Sequence, residues 1–197
     1  DSSSCNKLMA VALEQEISGS ETSDGSKAII SDAGISSFVA NNLAVLTITA
    51  WDGRANLDGA ITDDGTGGWT QLCALYSGID TDSNMWMGYK VVGGDETEVT
   101  VATNKTINYE LLEFSGLVTA NTLDDASVVY RDTATVSPSA TASVAGLGVV
   151  GLATGKWGDR TDTFTGLDSG YLPSGTAING LNWGLETSWK ATTTGVT

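Results

Sequence analysis

The sequence predicts an all-β protein, an antiparallel β-sandwich with jelly-roll-like topology. Short segments rich in Thr, Val and aromatic residues recur at intervals of about 8–15 residues, the spacing that is typical of sandwiches and barrels. Clusters of Gly, Asp and Asn separate these segments, as expected of turns between strands. No stretch has the pattern of a long amphipathic helix. Five strands are predicted in the first half of the chain: Leu43–Trp51, Trp69–Tyr76, Met85–Val92, Thr97–Thr103 and Ile107–Phe114.

Two of the segments carry more specific patterns. In Thr97–Thr103, Val99 and Val101 alternate with more polar residues, as in an antiparallel strand with one solvated face. Leu8–Ile17 fits either a strand or a helix. As a strand it presents one apolar face, which consists of Met9, Val11, Leu13 and Ile17.

Charge excludes several functional classes. The 197 residues include 24 acidic and 9 basic side chains, so the formal charge is −15, and there is no histidine. So few cations cannot neutralise a nucleic-acid backbone or an anionic membrane surface. Without histidine, Ser-His-Asp catalysis and His-ligated zinc are impossible within the chain. No apolar run reaches the length of a membrane span, so we expect no membrane insertion.

Comparison of the chain with itself predicts an internal duplication. Trp51-Asp-Gly-Arg54 and Trp157-Gly-Asp-Arg160 each follow an apolar run, at an offset of 157 − 51 = 106 residues. Three further matches follow in the same order: Thr62–Trp69 with Thr165–Tyr171, Trp86–Lys90 with Trp183–Lys190, and Glu98–Thr100 with Gly195–Thr197. We therefore expect two related lobes, at residues 20–120 and 121–197.

The second predicted lobe stops one strand short of the first, because the first continues into Thr106–Leu117. An open strand position leaves backbone donors and acceptors unpaired, which invites pairing with another strand. Residues 1–19 are the predicted N-terminal arm, and Met9, Val11, Leu13 and Ile17 mark its assembly strand. This strand could close the sandwich of its own chain or insert into a neighbouring subunit.

The first lobe resembles the jelly-roll-like β-sandwich proteins of tailed-phage virions, such as head decoration and tail components, and of bacterial surfaces. The similarity covers about residues 38–118 and rests on three segments: Asn42–Trp51 with the Gly67–Thr70 turn, Met85–Val92, and the closing Leu112–Leu117. It implies a structural or binding role and no catalytic residues. Such patterns specify a packing scheme more than an activity.

Carboxylates are the main candidates for metal binding. Asp80, Asp82 and Asn84 have the alternating spacing of a calcium loop, but Gly is missing at its sixth position and Val91 stands where the bidentate Glu should be. The segment therefore fails as an EF-hand. A weaker calcium-binding loop is left open at three places: at this segment, at Asp63-Asp64 or at Asp124-Asp125. We predict no other cofactor.

A buried polar network is the preferred interpretation of Glu113. It shares a strand face with apolar residues, so its carboxylate needs a partner, and Arg54 or Arg160 could supply one. Trp51 and Trp157 complete this predicted network. Most tryptophans are expected in the core, although exposed ones could stack on sugars. Whether Cys5 and Cys73 pair is left open.

Together these patterns predict a non-enzymatic assembly protein on a virion surface. Its expected partners are copies of itself or a repetitive protein lattice such as a capsid. A secreted filament subunit joined by donated strands is the first alternative, and a carbohydrate-binding module or adhesin is the second.

Overall fold

The computed structural model describes residues 11–50, 61–76, 84–117, 146–155, 172–179 and 183–192. These residues form eleven strands and one turn of 3₁₀ helix at Ile35–Ser37. The strands are β1 (Ala12–Glu21), β2 (Ala28–Ile30), β3 (Leu43–Ala50), β4 (Ile61–Asp63), β5 (Thr70–Tyr76), β6 (Asn84–Val91), β7 (Val99–Val101), β8 (Ile107–Ser115), β9 (Gly146–Gly155), β10 (Leu172–Asn179) and β11 (Trp183–Thr192).

The strands form three antiparallel sheets. A five-stranded central sheet has the order β1-β8-β3-β6-β5. The first outer sheet has the order β2-β7-β4, and the second outer sheet has the order β10-β11-β9. The described residues thus confirm the all-β fold of packed antiparallel sheets.

The middle of the central sheet is buried on both faces. All eight residues of β3 are buried. On one face, Leu46 and Ile48 pack in a cluster with residues of the first outer sheet, such as Val101. On the other face, Val45 belongs to a cluster against which Val149 of the second outer sheet packs. Double burial explains why β3 is almost continuously apolar, since neither face needs polar side chains for solvent.

The second outer sheet packs closely on the central sheet through small and aromatic residues. A Cβ atom at Gly151 of β9 would collide with the terminal methyl groups of Met85 and Met87, so glycine permits this approach. Phe114 of β8 meets Trp189 of β11 edge to face, with ring centroids 5.3 Å apart. This geometry is a favourable one for aromatic pairs.

Most predicted strands are confirmed within one or two residues. The alternation in β7 is also confirmed, because Val99 and Val101 are buried while Thr100 between them is partly exposed. The short strands β2 and β4 were not predicted. Each spans only three residues, too few to establish a period.

The N-terminal segment forms a strand. The prediction that its apolar residues share one face of this strand is wrong. The register of β1 against β8 shifts between Leu13 and Gln15, so Glu14 is an extra residue. Such a bulge reverses the facing of all residues beyond it. Val11 and Leu13 therefore pack on the second-outer-sheet side, whereas Ile17 packs on the other. Met9 lies outside the described residues.

The strand order of the second outer sheet corresponds to that of the central sheet. The repeat matches the apolar runs of β3 and β9 and the Trp86–Lys90 and Trp183–Lys190 segments of β6 and β11, and its matched segments Thr62–Trp69 and Thr165–Tyr171 end immediately before β5 and β10. The strand orders β3-β6-β5 and β9-β11-β10 follow this correspondence. Both β5 and β10 also carry a register irregularity against their neighbours. The duplication itself and the lobe boundaries stay predictions. The described N-terminal strand pairs with β8 of the first predicted lobe.

No helix in the described ranges is long and apolar enough to cross a membrane.

Replacement of Phe114 by alanine tests the packing of the second outer sheet. Phe114 is fully buried. We expect Phe114→Ala to lower the free energy of unfolding by about 3–5 kcal/mol, because it removes the ring and leaves a cavity. Chemical denaturation followed by tryptophan fluorescence measures the change. The control is Val39→Ala, since Val39 is 58% exposed, and it should change stability by less than about 0.5 kcal/mol. Equal effects of the two substitutions would contradict the two-faced burial of the central sheet.

Candidate functional site

The main polar cluster is centred on a buried lysine. Lys90 lies near the end of β6, on the same face as Trp86 and Val92 of the core. Only 2% of the residue is exposed. A lysine is rarely buried to this extent without partners, because its charge loses the stabilisation that water provides.

Two carboxylates bind the Lys90 ammonium. Its Nζ lies 2.7 Å from Oδ1 of Asp63 and 2.9 Å from Oε1 of Glu96. The Asp63 and Glu96 side chains are only 1% and 3% exposed. Asp63 ends β4 in the first outer sheet, and Glu96 lies between β6 and β7. The cluster Lys90–Asp63–Glu96, called the Lys90 triad below, therefore joins the central sheet to the first outer sheet.

Backbone amides hold both carboxylates in place. Gly93 donates to Oε1 of Glu96 at 2.8 Å, and Gly94 donates to Oε2 at 2.9 Å. Gly94 has a φ of +83°, a conformation that favours glycine and turns the chain back toward the carboxylate. Gly65 donates to Oδ1 of Asp63 at 3.0 Å. Among the described residues, no group hydrogen-bonds to Oδ2 of Asp63, although this oxygen is buried.

The contacts of the triad favour its ionised form. Burial alone would lower the pKa of Lys90, but hydrogen bonds to Asp63 and Glu96 outweigh it and raise the pKa above its ordinary value. Burial would likewise raise the pKa of Glu96, but hydrogen bonds from Lys90, Gly93 and Gly94 hold it below its ordinary value. An ammonium and two carboxylates carry one net negative charge, so the triad places an excess charge in the core.

A third carboxylate, Asp64, anchors the loop beside the triad. Oδ1 of Asp64 accepts hydrogen bonds from the backbone amides of Thr97 at 2.8 Å and Glu98 at 3.0 Å. Oδ2 accepts a hydrogen bond from the Thr97 hydroxyl. These bonds, the hydroxyl one foremost, lower the pKa of Asp64 from 3.8 to about 2. Since all three donors lie just before β7, Asp64 fixes the end of β4 against the chain that enters β7.

Glu113 is buried as predicted, and the described structure gives it backbone and amide partners. Its Oε1 accepts hydrogen bonds from the Val39 amide at 2.7 Å and from Nδ2 of Asn42 at 2.8 Å. Glu113 therefore stabilises the turn that precedes β3. The other members of the predicted network, Trp51, Arg54, Trp157 and Arg160, lie outside the described residues, so that network stays a prediction.

The predicted calcium loop falls mostly outside the described residues. Asp80 and Asp82 are in this category, as are Asp124 and Asp125. Asn84 is the first residue of β6, where it pairs with Ala50 and Tyr76. Asp63 and Asp64, offered as a further loop site, instead bind Lys90 and the chain before β7. Within the described ranges, no group of three or more His, Cys, Asp or Glu side chains could hold a metal ion.

Trp69 and Trp86 contribute mainly to packing. Trp86 is 2% exposed, and Trp69 packs against the same cluster. Their rings meet edge to face with centroids 6.4 Å apart. The expected core role is thus confirmed for Trp86. Trp51 and Trp157 lie outside the described residues, so the alternative in which exposed tryptophans stack on sugars stays untested at these positions.

A second candidate site is the outer edge of β9. In the central sheet, β3 has β6 on one side and β8 on the other. In the second outer sheet, β9 corresponds to β3, and its neighbour β11 corresponds to β6. β9 is the terminal strand of this sheet as described. The position that β8 occupies beside β3 therefore has no counterpart among the described strands.

Sequence reasoning missed the Lys90 triad, although a signal for it existed. Lys90 stands on the same face of an apolar strand as Trp86 and Gly88, a face that must point into the core. A lysine at such a position requires a carboxylate. The sequence could not show which one, because Asp63 and Glu96 reach Lys90 only through the packing of two sheets.

Comparisons with known proteins found no match for this chain among family models, curated proteins or solved structures. The class that the fold defines is the all-β sandwich of packed antiparallel sheets.

Acid should weaken the structure through Asp64. Because its pKa in the folded protein is depressed, the Asp64 carboxylate contributes stability above its unfolded pKa and loses it as the pH falls through the folded value. We expect the free energy of unfolding to decrease between pH 3.8 and about 2. Denaturation at a series of pH values measures this slope, which Asp64→Asn should reduce. Identical slopes for the two proteins would rule out this role of Asp64.

Proposed function

We propose that this protein is a non-enzymatic structural component of a virion surface, a capsid decoration or tail protein, which docks partly by β-strand pairing. The observation that supports this most directly is the position of β9 as the terminal strand of the described second outer sheet. An edge strand presents a row of backbone donors and acceptors, which a strand from another subunit can pair with.

The composition of β9 suits pairing with an extended partner. Its segment Leu147–Gly155 contains three glycines and no charged residue. Soluble proteins commonly protect an exposed edge with charged side chains or proline, and this segment has neither. Its inner face is already engaged, because Leu147 and Val149 pack on the core. A partner strand would therefore extend a sheet that already packs on the core.

The charge of the chain indicates the chemistry of the partner. A net charge of −15 keeps identical subunits apart in solution and attracts a basic surface. The proposed occupant of the β9 edge is accordingly an extended segment of a lattice protein, flanked by Lys or Arg residues. Affinity would come from main-chain hydrogen bonds, and the charges would steer the encounter.

A filament subunit is the alternative that uses the same edge. In that case the occupant would be a strand of the next copy, which gives an open-ended assembly. Residues 12–21, which begin within the N-terminal arm, pair with β8 of the same chain. This part of the arm is therefore not the strand that a filament subunit would donate to its neighbour. The filament therefore ranks second.

Electron microscopy of the native material tests the proposed location. Gold-labelled antibodies against this chain should mark phage heads or tails at regular intervals. Label along uniform filaments would favour the alternative. Label confined to dispersed single molecules would overturn both assembly proposals.

Proline substitutions test the β9 edge itself. Backbone N–H groups alternate between the two sides of a strand, so only one of Gly148→Pro and Val149→Pro removes a bond to β11. The variant whose substituted N–H points away from β11 should keep its circular dichroism spectrum. Its affinity for virus particles from which this protein has been removed should fall at least tenfold, about 1.4 kcal/mol. The matched control is the pair Thr70→Pro and Gln71→Pro in β5, the terminal strand of the central sheet. If the folded β9 variant attaches as well as the β5 control, pairing at β9 is excluded.

A further inference from the structure

We propose that the Lys90 triad forms a covalent crosslink, an amide bond between Nζ of Lys90 and Cγ of Asp63, with Glu96 as the proton-transfer group. This modification goes beyond the proposed function and does not depend on it. It would join β6 of the central sheet to β4 of the first outer sheet.

The positions of the reacting groups favour condensation. Nζ lies 2.7 Å from Oδ1 of Asp63, so the carboxyl carbon is only one bond beyond the contact atom. Both side chains are about 1% exposed, which holds them together and excludes water. Fixed proximity of this kind replaces a bimolecular encounter and can supply a large part of the barrier reduction.

The two oxygens of Asp63 are already distinguished. Oδ1 accepts hydrogen bonds from Lys90 and from the Gly65 amide, so it is the oxygen that can take up negative charge during attack. Oδ2 is buried, and no described group hydrogen-bonds to it. Loss of Oδ2 breaks no hydrogen bond to a described residue, whereas loss of Oδ1 would break the bond from Gly65, and Oδ2 is therefore assigned as the oxygen that leaves after protonation.

Glu96 has the position that a proton carrier needs. Its Oε1 lies 2.9 Å from Nζ, within the distance required of a general base. The Gly93 and Gly94 amides fix its carboxylate from the opposite side. Glu96 therefore touches the reacting nitrogen and cannot rotate away without breaking two hydrogen bonds.

The reaction balances without any co-reactant. First, the Lys90 ammonium gives one proton to Asp63, against the preference of its contacts for the charged form, and the neutral carboxylic acid that results reacts in the tautomer that carries this proton on Oδ2. The amine lone pair then attacks Cγ, and the new C–N bond forms. Glu96 accepts one proton from the nitrogen and delivers it to the departing hydroxyl, so the C–Oδ2 bond breaks and water leaves. Glu96 ends ionised, as it began.

The electrostatics of the core also favour the product. Before reaction, the core holds one ammonium and two carboxylates, and buried charges of this kind are costly even when paired. The amide removes the charges of Lys90 and Asp63 together. Its N–H can donate to Glu96, and its carbonyl oxygen keeps the Gly65 amide as a donor.

Intact mass spectrometry of the purified, reduced and denatured full chain tests the proposal. The measured mass should be lower than that of the sequence by one water molecule. Trypsin should cleave after Arg54 but not after the modified Lys90, so the peptide 55–90 should be replaced by 55–105 with one water missing. A wild-type protein at its full sequence mass, with the peptide 55–90 intact, would overturn the proposal without any variant.

Two variants identify the source of a mass deficit. Lys90→Met should have the full mass of its own sequence. A cyclic imide at Asp64-Gly65 would also remove one water molecule, but it does not involve Lys90 and would persist in this variant. Persistence of the deficit in Lys90→Met would therefore also overturn the crosslink. Glu96→Gln keeps the shape of the side chain and removes its basicity. We expect this variant to slow crosslinking at least tenfold, measured as the fraction of peptide 55–105 over time, and an unchanged rate would contradict the role of Glu96.

Discussion

The burial of one sheet on both of its faces is the constraint on which the rest of this structure depends. β3 lies at the middle of the central sheet and has no exposed residue. Two outer sheets must therefore be held against it, one through aliphatic contacts around Ile30 and Val101 and the other through Phe114 and Trp189. Apolar burial supplies most of the stability, since nearly every side chain of β3 and β8 is removed from water.

The Lys90 triad is a charged exception to this apolar pattern. A shifted alignment of the two sheets would separate Lys90 from its carboxylates and leave buried charges unpaired, which is costly. The triad ties β6 to β4, and Asp64 beside it ties β4 to the entry of β7. The same alignment that fixes the first outer sheet brings an amine and a carboxyl group into reacting distance. Structural specificity and the proposed crosslink thus share one cause.

Regular patterns made much of the fold predictable from the sequence. The strand positions follow from β-branched and aromatic runs between turn residues, and the alternation at Val99 and Val101 follows from the two-residue period of a strand. Other features, such as a β-bulge or a contact between two sheets, leave no periodic signal in the sequence. The bulge at Glu14 places Val11 and Ile17 on opposite sides of the central sheet. For the candidate site, the sequence could mark Lys90 as a buried charge but could not name its partners.

The sequence by itself determined the fold class, the strand segments and the exclusion of chemistry that needs histidine. These follow from composition and local period, which are properties of neighbouring residues. Only the tertiary structure decided which residues meet. It paired β1 with β8, placed β9 at the edge of the described second outer sheet, and joined Asp63 and Glu96 to Lys90. The physical reason is that contacts between sheets depend on strand order and layer packing, and many such arrangements satisfy the same local pattern.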